Sequence, residues 1–221
     1  MITISYLLLT LFLASLSLWL WPRRAGRHTG ARGALNASLV ALLLAALSSL
    51  LLTLGQWGAS GTAMADAQRI FGLAAQHISL PLLGLASVYL ARGLRWKPMI
   101  WGQAILGLMA CFELSRYLGW QPGYHWLVNL LGAAGLLASA ALYLGRDKRI
   151  AGLCLIAPVS LIAPALLSQQ LPLTALLSAE ASASWLLPGF VAAALAVGLL
   201  AEQAHNSDNA CPSNDSTTAP R

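Results

Sequence analysis

Near the end of the otherwise apolar stretch MIWGQAILGLMACFELSRYLGW, Glu113, Arg116 and Tyr117 stand at positions i, i+3 and i+4. That spacing puts a carboxylate, a guanidinium and a phenol on one face of one helix. A charge surrounded by hydrocarbon is costly unless an opposite charge or water stands beside it, and Arg116 is one turn from Glu113. The pair can neutralise itself and anchor a helix, or Arg116 can reach toward headgroups along its apolar stem.

Other apolar runs carry polar groups at a similar depth. Counted at 1.5 Å of rise per residue from the expected span ends, Glu113, His77, Ser48, Ser49 and Asn129 fall roughly 6 to 11 Å below one membrane boundary. Arg116, Tyr117, Tyr124 and His125 fall just above them, and Gln56 and Trp57 cap the second run nearby. Tyr124 and His125 are read as ordinary interfacial residues.

Three chemistries suit that grouping. In the first, Arg116 pairs with an anionic group, Glu113 holds Arg116, and His77 and Asn129 orient the ligand, making a pocket for a small anionic molecule, a lipid headgroup or a membrane-protein partner. In the second, Ser48 or Ser49 is a nucleophile, His77 its base and Glu113 the orienting acid of an intramembrane hydrolase, which mutual geometry alone can establish. In the third, Glu113 and His77 relay protons in a coupled transporter, although no repeat of three or more spans is visible. Binding asks least of the residues. The expected cluster is Glu113, Arg116, His77, Asn129, Tyr117, Ser48 and Ser49, each competing with a plain packing role, since histidine and serine commonly bond across helix interfaces in lipid.

No cofactor or metal is expected. The last run, SWLLPGFVAAALAVGLLAEQ, has no lysine for a retinal Schiff base. Haem between His77 and His125 would need the two at one depth, and their reckoned offset is about 10 Å. Cys111, Cys154 and Cys211 are far apart and lack metal-ligand spacing, so neither zinc nor a disulfide is expected.

The elements that must position these groups are set by composition. Of 221 residues, 58% are hydrophobic and 9% charged, far from the roughly 25% charged of soluble domains. Apolar runs of about 20 residues, each long enough to cross about 30 Å of hydrocarbon, recur at about 2–22, 34–55, 70–91, 98–118, 125–145, 150–169 and 183–203. The expected fold is an all-α integral membrane protein, a bundle of seven transmembrane helices over 1–203, with 204–221 a disordered polar cytoplasmic tail. The first run lacks the basic start of a cleaved signal and is expected to stay as a span.

A net charge of +6 and a pI near 9.7 would suit nucleic acid if the basic residues shared one face, but they cluster between apolar runs. Arg23, Arg24, Arg27, Arg32, Arg92, Arg95, Lys97, Arg146, Lys148 and Arg149 lie in the first, third and fifth connections, against Arg69 and Arg116 in the even ones. Basic loops stay cytoplasmic, which puts the N-terminus and the polar pocket outside and the C-terminus inside. A cell membrane of the bacterial inner-membrane kind is the expected location, and membrane lipids rather than nucleic acid the expected partners.

Two further expectations concern shape. Small residues at Gly132, Gly135 and Ser139, and at Ala194 and Gly198, should let helices approach closely. Pro158 and Pro164 should kink or break the sixth span, and QLPLTALLSAEASAS should lie at the outer interface as a short helix.

Overall fold

The computed structural model describes residues 2–25, 29–58, 61–94, 96–179 and 183–210. It contains seven α-helices and, among the described residues, no strand: α1 (Ile2–Leu20), α2 (Thr29–Gln56), α3 (Thr62–Ala91), α4 (Met99–Tyr117), α5 (Gln121–Tyr143), α6 (Lys148–Ser168) and α7 (Ala183–Ala210). Six of them, all but α4, are long and apolar enough to cross a membrane. In α4 the polar side chains of Gln103, Glu113 and Arg116 dilute 19 residues.

Local chemistry sets the ends. Gly93 and Gly119 take positive φ, 60° and 69°, and each closes a helix: Leu94 N–H donates to the Tyr89 carbonyl at 3.1 Å and Trp120 N–H to the Ser115 carbonyl at 2.9 Å. This is the left-handed stop that glycine allows. Asp147 starts α6 by accepting the Arg149 N–H at 2.9 Å, a carboxylate cap on an orphan donor.

Neighbours in sequence pair antiparallel. Ser79 of α3 donates to the Ala41 carbonyl of α2 at 3.0 Å, and Arg24, just past α1, donates to Asn36 of α2 at 3.0 Å. Helices α3 and α5, two apart in sequence, run side by side in the same direction: His77 meets His125, and ten residues further along α3, Ser87 accepts from Ser139 at 3.1 Å. Between these points the backbones touch. A Cβ at Gly132 would fall 2.6 Å from the carbonyl carbon and oxygen of Leu80, and one at Gly135 2.8 Å from the Gly84 oxygen. The expected close approach at Gly132, Gly135 and Ser139 is therefore present, as is one at Gly198, which packs on Trp19.

The connections α1–α2, α3–α4 and α5–α6 gather at one end, here the basic end. There Arg23 pairs with Glu202 of α7 at 2.8 Å, and Gln203 donates to Asp147 at 3.0 Å. At the same end Trp101 packs against Tyr89 and Trp96, with ring centroids 5.3 and 5.8 Å away.

Of the kink or break expected in the sixth span the break is absent: helix α6 passes Pro158 and Pro164 uninterrupted, as α3 passes Pro81 and α7 passes Pro188, since packed neighbours hold such helices together despite a lost donor. One expectation needs correction. The chain after α6 does not lie on the interface as a helix. It makes one 3-10 turn at Thr174–Leu176 and inserts into the bundle, with Leu173, Ala175 and Leu176 buried. Helix α7 continues past residue 203 to Ala210, and residues 211–221 lie outside the described residues.

Candidate functional site

Helix α3 begins at Thr62, two turns before the apolar run, because TAMADAQR is polar yet made mostly of good helix formers. The extension carries Asp66 and Arg69 up beside α4. Helix α4 is peripheral, with only Trp101 and Ser115 buried, and is tied at mid-length by Tyr124, whose O–H donates to the Leu108 carbonyl at 2.6 Å. Between α3 and α4 lies a groove of about 580 Å³. Ile70, Leu73, Ala74 and Ile78 form one wall, Leu108, Met109 and Phe112 the other, and Asp66, Arg69, Glu113 and Arg116 the charged part of the lining.

The structure brings Glu113, Arg116 and His77 to this one groove and sends the rest of the expected cluster elsewhere. Arg116 Nη2 lies 3.2 Å from Glu113 Oε2, with the side chains 63% and 60% exposed; so exposed a pair contributes little to stability. Tyr117 is 88% exposed and takes no part in the groove lining. Asn129 is buried behind it, donating to the carbonyls of Gln76 at 3.2 Å and His125 at 2.9 Å, and its Oδ1 has no partner.

Ser48 and Ser49 face other neighbours. Ser48 donates to the Leu176 carbonyl, while Ser49 donates to the Ala46 carbonyl at 2.9 Å and shares a 2.8 Å hydrogen bond with Thr10 of α1. Neither serine bonds His77, and His77 bonds no carboxylate. The serine, histidine and acid of the hydrolase arrangement are not assembled.

His77 meets His125 instead. His77 Nε2 and His125 Nδ1 are 2.9 Å apart, with ring centroids at 4.4 Å and planes at 78°. His77 Nδ1 lies 2.8 Å from the Leu73 carbonyl oxygen, and His125 Nε2 lies 2.7 Å from that of Pro172. The 10 Å offset reckoned from sequence is thus corrected, and so is the interfacial reading of Tyr124 and His125, both buried. Counting depth from span ends supposes that every helix starts in one plane, and α3 starts two turns early. Among the described residues no three histidine, cysteine or acidic side chains gather to hold a metal, and the two imidazoles nearest to a ligand pair already engage each other.

The inserted segment accounts for the buried polar side chains of Ser48, Gln76 and His125. Its carbonyls accept from Tyr6 of α1 at Ala175, 2.7 Å, and at Ser178, 3.1 Å. Ser48 of α2 takes Leu176, Gln68 and Gln76 of α3 take Leu177 and Pro172 at 3.2 Å each, and His125 of α5 shares Pro172. Irregular backbone at membrane depth is tolerated where protein satisfies its polar groups, and four helices supply the donors. Tyr6, Gln68 and Gln76 are the residues sequence reasoning missed; the available signal was a polar side chain inside or beside an apolar run, as at Gln76 next to His77.

Fold and site together define a class: an all-helical bundle of membrane-crossing character with a lateral groove lined partly by charge and an inserted segment held by side-chain donors. Compared with protein-family models, curated proteins and solved structures, the chain matches none.

Proposed function

We propose that this chain is a multi-pass protein of a cell membrane, with seven spans, whose α3/α4 groove binds one zwitterionic amphiphile drawn from the surrounding lipid. The span count is supported by the parallel contact of α3 and α5. Two neighbours that run the same way need a return path of full length, and 19 residues of α4 provide about 28 Å at 1.5 Å per residue, close to the hydrocarbon thickness. The basic residues on the odd connections support a cytosolic position for that end and the opposite side for the groove's charged residues.

A topology experiment follows. With Cys111, Cys154 and Cys211 replaced by alanine, an impermeant maleimide is expected to label Leu118→Cys in intact cells and Lys97→Cys only after permeabilisation. Equal labelling of both from one side would remove the seventh span, and the reverse pattern would invert the protein.

The ligand class rests on one observation: apolar walls beside four charges that sum to zero, arranged as Asp66 with Arg69 on one helix and Glu113 with Arg116 on the other. A phosphate suits the two guanidiniums and an ammonium the two carboxylates, each as a charge-assisted hydrogen bond. Apolar side chains exposed beside the groove, Ile70, Leu106 and Met109, let acyl chains enter sideways. Native mass spectrometry of the protein in mild detergent is expected to retain phosphatidylethanolamine over phosphatidylglycerol and diacylglycerol. The double variant Arg69→Gln, Arg116→Gln should weaken retention roughly 10- to 100-fold, the worth of one or two such bonds. Equal retention of all three lipids, or an unaffected double variant, would refute the zwitterion.

A further inference from the structure

We propose that His77 and His125 form a proton-binding site in which four ring nitrogens hold three protons, the third fastening the inserted segment at Pro172. A carbonyl oxygen only accepts, so His77 Nδ1, 2.8 Å from the Leu73 oxygen, must carry a proton. His125 Nε2, 2.7 Å from the Pro172 oxygen, must carry one for the same reason. The 2.9 Å contact between His77 Nε2 and His125 Nδ1 needs one more. Two neutral imidazoles bring two protons, not three. With only two, one of the three contacts sets a lone pair against a lone pair, so the observed arrangement is complete when the pair carries one positive charge.

The shared cation has no counter-ion beside it among the described residues and rests on its hydrogen bonds and on neighbouring aromatic rings. Among the described residues no acidic side chain pairs with either ring. The Phe112 and Tyr124 rings lie 4.3 and 6.0 Å from that of His77, within the reach at which aromatic rings attract a cation. The other titratable or charged groups near the pair are Tyr124 from α5 and those that share the groove with His77, Glu113 and Arg116 from α4 and Asp66 and Arg69 from α3. His77 also belongs to the groove lining, which gives protons a way in beside the charged residues.

Losing the third proton costs one contact, and the bond to Pro172 is the one that yields. Leu73 belongs to the same helical turn as His77, and the ring-to-ring contact spans two helices held backbone to backbone at Gly132. Pro172 belongs to a segment tied only by side chains, so deprotonation loosens it there and leaves Gln76 as its remaining donor. The site thus couples proton uptake to the bundle's hold on the inserted segment, independently of what the groove binds.

The test uses the full chain in lipid nanodiscs with ¹⁵N-labelled histidine, His28 and His205 being replaced by glutamine. Between about pH 8 and about pH 5, where histidine charge ordinarily changes, nitrogen spectra should show the pair gaining one proton, giving three protonated ring nitrogens. Protection of the amides at residues 173–178, their exchange relative to an unstructured chain at the same pH, should rise about tenfold or more over the same interval, the effect of one hydrogen bond to a charged group. In His125→Gln that pH dependence should vanish. The proposal fails if both rings stay neutral throughout, if each gains its own proton in a separate step, or if protection follows pH equally in His125→Gln.

Discussion

A Gly132→Leu chain is expected to lose the contact between α3 and α5 and about 3 kcal/mol or more of stability, at the upper end for overpacking. The added Cβ alone would meet the Leu80 carbonyl group at 2.6 Å and the Pro81 nitrogen at 2.7 Å. These are backbone atoms, which cannot turn aside as a side chain can, so one helix must move outward as a body. That movement also parts His77 from His125, Asn129 from Gln76 and Ser139 from Ser87. Thermal unfolding in detergent is the measurement, with Gly107→Leu as control, since nothing lies within 4 Å of a Cβ there. The control should change by less than about 0.5 kcal/mol; equal behaviour of the two variants would mean the backbones do not touch.

Tyr6→Ala is expected to cost about 3 to 5 kcal/mol, the range for deleting a large buried aromatic, because Tyr6 is fully buried and its hydroxyl holds two carbonyls of the inserted segment. Tyr6→Phe separates the two contributions: it keeps the ring and should cost about 1 to 2 kcal/mol for stranding buried acceptors. Ser48→Ala strands the Leu176 carbonyl and should cost a similar amount, whereas Ser49→Ala, whose hydroxyl bonds its own helix and Thr10, should cost less. Amide exchange at 173–178 should rise in Tyr6→Phe and Ser48→Ala and stay unchanged in Ser49→Ala. A Ser48→Ala protein of full stability that had lost a hydrolytic activity would return Ser48 to chemistry.

Helices were readable because each apolar run declares its length, and the small face of α5 needs only local chemistry. Depth was not readable, because the first two turns of α3 are polar and fall outside any hydropathy boundary, so His77 and His125 were placed on different levels. The inserted segment escaped for a related reason: LPLTALLS is too short to span and too mixed to signal burial, and only the donors gathered from four helices reveal where it goes. Direction was the third loss. Ser48 and Glu113 share a depth on paper, but one side chain meets the segment after α6 and the other lines a lateral groove. Arg69 was treated as a stray loop cation because α3 was thought to begin at residue 70.

The same-direction contact of α3 and α5 also dictates an order of assembly. A chain made from its N-terminus delivers α3 first and α4 next, yet the glycine face of α3 fits only the helix that follows both. Until α5 emerges, α3 waits with the face around Gly84 uncovered. Whatever inserts this chain must shelter an unfinished helix through that interval, so lesions in α5 will be felt as failures of biogenesis in α3.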